Sequence, residues 1–239
     1  MKKDDQHPHG KYKAKPLTAQ EVAHDAKTRL SIINKEFSEG LEFIRKYPKS
    51  VTIFGSAILP ETNTHYQQAR ELGAEIARHG YTVVTGGGPG IMEAANRGAL
   101  EAGGKSVGLN ITLPHEQKQN PYLTDFYQFY YFFSRKVALT YAAEAYVFFP
   151  GGYGTLNEFF EIVTLVQTQR ITPAPATIIL VGSDFWKPLD DFIRQHLYKQ
   201  HGMVDEEALS LYTICDEKKA IMDTILKVPV ISSVPFEKK

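Results

Sequence analysis

The chain has 239 residues, with 27 basic and 27 acidic side chains, a formal net charge of zero and a single cysteine, Cys215. Zero net charge excludes the overall positive field that attracts nucleic acid or an anionic membrane, and one cysteine excludes an intrachain disulfide and a cysteine zinc cluster. No apolar run approaches the ~20 residues of a membrane helix, and the polar, lysine-rich N-terminus contains no apolar signal segment. We therefore expect a cytoplasmic protein that binds neither membrane nor nucleic acid.

The N-terminal region is predicted to be a tail followed by one long helix. Residues 1–17 are polar and are expected to be disordered. A capping box at Thr18-Ala-Gln-Glu21 and apolar residues at helical spacing then predict a helix over 18–47, which Gly40 is expected to interrupt near its end. The apolar stripe of this helix must be buried against the main domain or a partner subunit.

Residues 48–228 are predicted to form a single α/β domain, followed by an extended tail at 229–239. Strands alternate with helices along this domain, which predicts a doubly wound, mostly parallel sheet with helices on both faces. The predicted strands span 51–54, 81–85, 106–111, 128–132, 145–149, 176–181 and 212–215. The predicted helices span 66–78, 91–102, 134–143, 155–170, 184–198 and 217–227.

Two glycine-rich turns each connect a buried strand to a helix. The first is Gly86-Gly-Gly-Pro-Gly90 and the second is Pro150-Gly-Gly-Tyr-Gly154. Glycine lets the backbone approach a ligand closely, and the following helix N-terminus favours an anion. Neither turn matches the G-x-G-x-x-G dinucleotide motif or a Walker A loop. Because ligands of such sheets bind beyond the carboxyl ends of the strands, the pair predicts one phosphate-containing ligand held between them.

Glu158 follows the second turn and has two interpretations. Thr155 to Glu158 has the pattern of a capping box, in which the glutamate would stabilise the helix start. On a helical wheel, however, Glu158 falls within the apolar arc. Burying a carboxylate there costs hydration free energy unless a partner compensates for it. We favour a functional role for Glu158, and we interpret Glu161, at the edge of the polar arc, as solvated or structural.

Arg135 is also in a position that local helix preferences disfavour, which indicates a functional role. Ser134 is predicted to cap a helix, which places Arg135 and Lys136 in its first turn, where the helix dipole disfavours cations. Arg135 lies on the inner face of that helix. An arginine extending to water is one explanation, and a phosphate-binding arginine is the one we favour. Lys136 points in another direction, and both interpretations stay open for it.

Two further segments are less informative. The aromatic run 126–133 could form a base-stacking platform, but we predict that it is a core strand. The long polar loop 112–125 is expected to be functional because long ordered loops often are. It contains His115 and Glu116, which lack the second histidine that a helical zinc motif requires.

Together, these motifs resemble the Lonely Guy family. The matching segments are Gly86-Gly-Gly-Pro-Gly-Ile-Met-Glu-Ala-Ala-Asn96, Ser134-Arg-Lys136 and Pro150-Gly-Gly-Tyr-Gly-Thr-Leu-Asn-Glu158, and the resemblance covers about 51–226. Members are often labelled lysine decarboxylase-like, but the characterised ones are phosphoribohydrolases of nucleoside 5′-monophosphates, notably cytokinin riboside monophosphates and in some cases AMP. The resemblance implies a Rossmann-like fold and a homodimer, or a larger even-numbered assembly, with sites at the subunit interface.

The resemblance also implies roles for individual residues. Glu158 and Arg135 match the family's essential glutamate and arginine, and we predict both as catalytic. Asn157 stands where a glutamate is common, and the N-terminal helix is longer than in the shortest members. The predicted substrate-binding residues are Gly55, Ser56, Gly86, Gly87, Gly88, Gly90, Met92, Glu93, Asn110, Lys136, Gly151, Gly152, Tyr153, Gly154 and Thr155.

The expected reaction is hydrolysis of the N-glycosidic bond of AMP or an N6-substituted AMP, giving free base and ribose 5-phosphate. A carboxylate such as Glu158 would stabilise the oxocarbenium-like transition state. No cofactor or metal is expected, and the acid that protonates the leaving base is not identified, with His115 and Glu116 as candidates. The alternatives are a nucleotide sensor, a single-strand DNA binder and a pyridoxal phosphate decarboxylase. Zero net charge argues against the DNA binder. The decarboxylase would need a lysine for the cofactor, and no lysine stands out near either turn.

Overall fold

The structure is a computed structural model, and it describes residues 19–112, 119–170 and 177–229, with the side chains of the first helix described from residue 27 onward. The predicted tail at 1–17, the cap residue Thr18, and both His115 and Glu116 therefore lie outside the described residues. All but residue 229 of the predicted C-terminal tail lies outside them as well.

The centre of the domain is a seven-stranded sheet with the strand order β4-β3-β2-β1-β5-β6-β7, and every strand pair in it is parallel. The chain winds outward from β1 in one direction through β4, then returns to the other side of β1 with β5. This reversal creates a topological switch point between β1 and β5. The strands are β1 (Ser50–Phe54), β2 (Thr82–Thr85), β3 (Ser106–Ile111), β4 (Asp125–Phe129), β5 (Ala145–Phe148), β6 (Thr177–Leu180) and β7 (Thr213–Ile214).

Seven α-helices are described, and they cover both faces of the sheet. They are α1 (Ala19–Ile44), α2 (Thr64–Arg78), α3 (Ile91–Glu101), α4 (Phe132–Thr140), α5 (Tyr153–Gln167), α6 (Ser183–Phe192) and α7 (Lys218–Leu226). Helix α6 continues into a π-helical stretch, Ile193–Gln200, and a short 3-10 helix follows at Glu207–Ser210. Within the described ranges, no helix combines the length and the apolar character needed to cross a membrane.

Two hydrophobic cores lie on opposite faces of the sheet. Successive residues of a strand point to opposite faces, so Phe54 and Phe148 join one core while Ile53 and Val147 join the other. The first core is covered by α1, α4, α5 and α6, and it contains the fully buried Trp186. The second is covered by α2, α3 and α7. The predicted doubly wound α/β class is therefore confirmed.

Gly40 does not interrupt the first helix, contrary to prediction. The Phe129 ring packs against it so closely that a Cβ atom at position 40 would lie 2.7 Å from the ring carbon Cζ. Glycine is thus used there for close packing rather than for a break. Among the described side chains, the predicted apolar stripe is buried toward the C-terminal end of α1, where Ile44 enters the core beside Phe43, whereas Leu30 is 59% exposed.

The aromatic segment also differs from prediction. Strand β4 lies at 125–129 rather than 128–132, and it is the edge strand of the sheet. Of its aromatic side chains, Phe129 is fully buried, whereas Phe126 is 47% exposed and the following Tyr130 is 60% exposed. The core-strand interpretation is therefore wrong for most of this run, because the edge strand packs against α1 and α4 on one face and buries only the residues that face them.

Candidate active site

Three turns meet at the carboxyl ends of β1, β2 and β5. The backbone N–H of Ser56, just beyond β1, donates to the carbonyl of Pro150 at 3.0 Å, and the Ser56 carbonyl accepts from the N–H of Ile91 at 2.9 Å. The loop after β1 thus lies between the two glycine turns. The predicted proximity of the two turns follows from these backbone contacts.

Glycine is required where these backbones touch. Gly90 has φ of +68°, and a Cβ atom there would lie 2.3 Å from the Ser56 carbonyl oxygen. A Cβ atom on Gly151 would lie 3.0 Å from the Ser56 nitrogen and 2.1 Å from Thr155 Oγ1. Gly152 and Gly154 differ, because a Cβ atom on either would meet nothing within 4 Å. Their backbone therefore faces open space at the start of α5.

A cleft of about 380 Å³ opens between the turns and helix α4. Ten of the residues predicted for the site line it, and apolar side chains form much of the remaining wall. The ten are Gly55, Ser56, Gly86, Met92, Arg135, Lys136, Gly152, Gly154, Thr155 and Glu158. The other lining residues are Phe54, Ala57, Ile58, Phe132, Leu139 and Asn157.

The other predicted site residues lie outside the cleft wall. Gly90 and Gly151 support the wall through the contacts just described, and Gly88 accepts at its carbonyl from Asn120 Nδ2 at 3.0 Å. The Glu93 carboxylate accepts from the Tyr66 hydroxyl at 2.9 Å, and Tyr153 is 94% exposed.

Asn110 and Gly87 form a tight contact behind the first turn. A Cβ atom on Gly87, which has φ of +69°, would lie only 1.7 Å from Asn110 Oδ1. That oxygen is buried and has no hydrogen-bond partner among the described residues. In this structure, Asn110 therefore shapes the turn and does not line the cleft.

Glu158 lies in the cleft wall and is not a helix cap. Helix α5 begins at Tyr153 with Gly152 as its N-cap, so the predicted capping box from Thr155 to Glu158 is wrong. The Oε2 atom of Glu158 is buried and has no hydrogen-bond partner within the described part of the chain. Burial raises the pKa of Glu158 to about 7, the Glu161 carboxylate adds to this rise, and Lys136 and Arg135 oppose it.

Arg135 faces Glu158 from helix α4. Its Nε atom donates to the Leu109 carbonyl at 2.7 Å, and Nη2 lies 3.4 Å from the Gly86 carbonyl. A Cβ atom on Gly86 would lie 2.1 Å from Nη2, so this glycine makes room for the guanidinium. Burial lowers the pKa of Arg135, and the Glu158 carboxylate opposes that change. The side chain thus turns toward the strand ends rather than extending to water, and it has further N–H donors for a ligand.

The local start of α4 differs from prediction. The helix begins at Phe132 with Tyr131 as the N-cap residue, so Ser134 is not the cap but the third helical residue. Lys136 lines the cleft, yet its Nζ atom forms an ion pair with Glu161 on α5. The structural interpretation of Glu161 agrees with this pair. Two carboxylates and two cations therefore lie between α4 and α5.

A buried polar network supports the first glycine turn, and sequence reasoning missed it. Asn96 on α3 accepts at Oδ1 from Thr85 Oγ1 at 2.6 Å and from Asn120 Nδ2 at 3.0 Å, and its own Nδ2 donates to Ser106 Oγ at 2.8 Å. Thr85 Oγ1 also accepts from the Gly87 N–H at 2.9 Å. The available signal was an asparagine on the otherwise alanine-rich inner face of α3, since a buried amide requires partners.

The fold and the cleft define a Rossmann-like α/β protein whose paired glycine turns meet at the switch point of the sheet. Residues 92–225 match the family model described as "Possible lysine decarboxylase". The chain belongs to this family, the Lonely Guy family, which confirms the resemblance.

Individual relatives agree with this assignment. The chain is 30% identical over 178 residues to the cytokinin riboside 5′-monophosphate phosphoribohydrolase of Rhodococcoides fascians, covering 72% of this chain and 87% of that protein. It is 25% identical over 158 residues to the pyrimidine/purine nucleotide 5′-monophosphate nucleosidase of Escherichia coli strain K12, covering 61% of this chain but 34% of that protein. The crystal structure of TM1055 superposes with a TM-score of 0.56 at 26% identity, covering 75% of this chain and 99% of that one.

The contact between the turns predicts the effect of a glycine substitution. Gly90→Ala should lower the free energy of unfolding by about 2–4 kcal/mol, because it strains a positive φ and drives Cβ into the Ser56 backbone. Gly152→Ala is the matched control and should change it by less than ~1 kcal/mol, since its Cβ would meet nothing. Urea unfolding of both variants measures this, and equal midpoints would contradict the described convergence of the turns.

The raised pKa of Glu158 predicts a pH-dependent effect of Glu158→Gln on stability. Below pH 4.5 the wild-type carboxyl is protonated in both the folded and the unfolded chain. Between about pH 4.5 and 7 the unfolded chain ionises this group while the folded chain keeps it protonated, so the wild type loses stability that the glutamine variant keeps, and this loss levels off above about pH 7. We expect the variant's advantage in unfolding free energy to grow by about 1–3 kcal/mol between pH 5 and pH 8. A difference in unfolding free energy between variant and wild type that does not vary with pH would refute the burial of this charge. Glu42→Gln, at an exposed position, is the control and should show no such variation.

Proposed function

We propose that the protein hydrolyses the N-glycosidic bond of a purine nucleoside 5′-monophosphate, AMP or an N6-substituted AMP, to free base and ribose 5-phosphate. The observation that carries this proposal is the buried Oε2 of Glu158, which has no hydrogen-bond partner among the described residues and lies in the same cleft as the glycine turns. Relatives named as a phosphoribohydrolase and a nucleotide nucleosidase support the reaction class.

The start of α5 is suited to the phosphate. The first N–H groups of a helix have no intrahelical partner, and the helix dipole adds positive potential. Gly152 and Gly154 line the cleft at this end and leave the backbone accessible, and the hydroxyl of Thr155 lies beside them. Arg135 lies across the cleft, where it would hold the phosphate or the ribose.

Glu158 would act on the ribose. When the bond between C1′ and the base nitrogen breaks, positive charge develops on the ribose ring, and a nearby carboxylate stabilises it. Water then supplies a hydroxyl to C1′ and a proton to the departing base. With a pKa of about 7, Glu158 can also take a proton from the attacking water near neutral pH. His115 and Glu116, outside the described residues, stay candidates for protonating the base.

Two other functions are less well supported. A nucleotide sensor would need the phosphate site but has no use for a desolvated carboxylate beside it. A pyridoxal phosphate enzyme needs a lysine, and Lys136 does line the cleft, although no lysine was expected near the turns. Its Nζ atom is held in an ion pair with Glu161, and a Schiff base to pyridoxal phosphate would have to break that pair.

Glu158→Gln tests the catalytic assignment. It keeps the shape of the side chain and removes the charge, so turnover of AMP should fall about a hundred- to a thousandfold while AMP affinity changes little. Thr155→Ala is the contrast and should weaken AMP binding. Chromatographic detection of free base gives turnover, calorimetry gives affinity, and adenosine should be a much poorer substrate than AMP. If the wild type binds AMP tightly but releases no base from any purine monophosphate, the sensor function is favoured instead.

We further propose that the protein is a cytoplasmic homodimer or larger even-numbered assembly. Its single cysteine is consistent with a reducing compartment. Apolar side chains remain exposed around α5 and the cleft, with Phe160 41%, Phe132 57% and Ile58 88% exposed. Light scattering should give at least twice the 26.9 kDa chain mass at micromolar concentration. A monomer mass at that concentration would contradict the assembly.

A further inference from the structure

We propose that Glu36 on α1 is a positioning residue that fixes the start of α4 and thereby holds Arg135 in the cleft. The inference rests on the proposed function, because it assigns a role in that site to a residue outside it. It also gives the long N-terminal helix, which the sequence left without a role, a direct connection to the chemistry.

The Glu36 carboxylate is bonded at both oxygens to the segment that leads into α4. Glu36 is only 5% exposed, although it is charged and lies in the middle of a surface helix. Its Oε1 accepts from the Tyr130 N–H, and its Oε2 accepts from the Tyr131 N–H at 3.3 Å and from Ser134 Oγ. A buried carboxylate is tolerated only when several donors satisfy it, and these three donors all belong to one short segment.

Helix α4 has no cap of its own. Tyr131 is the N-cap residue, and it makes no side-chain capping bond. Glu36 accepts from the backbone N–H of this N-cap residue, which is the bond that the glutamate of a capping box ordinarily provides from within its own helix. Its negative charge also lies at the positive end of α4, directly before Arg135 and Lys136, which the helix dipole would disfavour there. The buried acid thus offsets the unfavourable position of these two cations, which are the fourth and fifth residues of the helix.

The position of Arg135 depends on this end of α4. Arg135 immediately follows Ser134, which bonds Glu36, and the Arg135 N–H donates to the Tyr131 carbonyl at 3.2 Å. At its other end the guanidinium is held by the Leu109 and Gly86 carbonyls. The side chain is therefore fixed between the Glu36 contact and the strand ends. A displacement of about 1 Å at a catalytic group can cost about a hundredfold in rate.

Glu39 provides a matched comparison on the same helix. Its carboxylate accepts from the Tyr127 hydroxyl on β4 at 3.0 Å. Glu39→Gln therefore disturbs the contact between α1 and β4 without touching the start of α4. Any effect that α1 docking alone has on the enzyme should appear in both variants, whereas loss of Arg135 positioning should appear only in Glu36→Gln.

The experiment measures AMP hydrolysis by Glu36→Gln, Glu39→Gln, Arg135→Lys and the Glu36→Gln/Arg135→Lys double variant of the full chain. We expect kcat/KM to fall about ten- to a hundredfold in Glu36→Gln and to stay within about twofold of wild type in Glu39→Gln. The effects of substituting two residues that act through one another are not additive, so Glu36→Gln should lower kcat/KM little further when Arg135 is already replaced by lysine. Hydrogen exchange at the amides of 132–136 should speed up in Glu36→Gln alone.

The outcomes separate the two proposals. Suppose that the wild type hydrolyses AMP. If Glu36→Gln then has the same kcat/KM as Glu39→Gln, or if the loss of kcat/KM in the double variant is the product of the two single losses, the positioning role is overturned and the proposed function stands. If the wild type releases no base, the proposed function fails. The positioning role of Glu36 is then tested by hydrogen exchange at the amides of 132–136 and by the calorimetric affinity for AMP. Unchanged exchange and affinity in Glu36→Gln would then overturn the positioning role as well, whereas a selective loss of both would support it.

Discussion

Two backbone hydrogen bonds of Ser56 join the three turns that form the cleft. Through them, the loop after β1 contacts both the Pro150 carbonyl and the Ile91 N–H. Backbones can approach this closely only where side chains are absent, which explains the glycines at positions 90 and 151. The proposed phosphate site and the floor of the cleft both depend on this contact.

The charges above that floor come from two helices. Glu158 and Glu161 lie on α5, and Arg135 and Lys136 lie on α4. Lys136 pairs with Glu161, while Arg135 bonds backbone carbonyls and leaves one Glu158 oxygen unpartnered within the described residues. A carboxylate in such surroundings has a raised pKa and can be stabilised further by a cationic ligand or transition state. The same arrangement that destabilises the ionised acid thus suits it to the proposed cleavage of a glycosidic bond.

Much of this was predictable from the sequence, because the strong signals are local. Buried strands, helical periodicity and glycine turns predict the doubly wound class and bring Glu158 and Arg135 together, and both residues line one cleft. The errors occurred where a tertiary contact overrode a local preference. Gly40 looked like a break because its partner Phe129 is distant in sequence, and the Thr155–Glu158 capping pattern was superseded when α5 began at Tyr153. Ser134 was mistaken for a cap, whereas it lies inside α4 and its hydroxyl donates to Glu36 on another helix.

Long-range polar contacts are the part that one sequence does not reveal. The Asn96 network and the Glu36 contact each join residues far apart in the chain, with no periodic pattern to mark them. Both support the turns and helices that carry the site residues. Sequence reasoning therefore identified the residues expected to act on a ligand better than the residues that hold them in place.

We propose that the cleft holds a nucleoside monophosphate with its phosphate at the start of α5 and its ribose C1′ at Glu158. A crystal structure of Glu158→Gln with AMP bound is the decisive experiment. The phosphate should lie against the backbone of Gly152 and Gly154, with C1′ within ~4 Å of the residue 158 carboxamide, near the approach distance of reacting atoms. AMP bound in the reverse orientation, with its base at residue 158, or bound outside the cleft, would refute this placement.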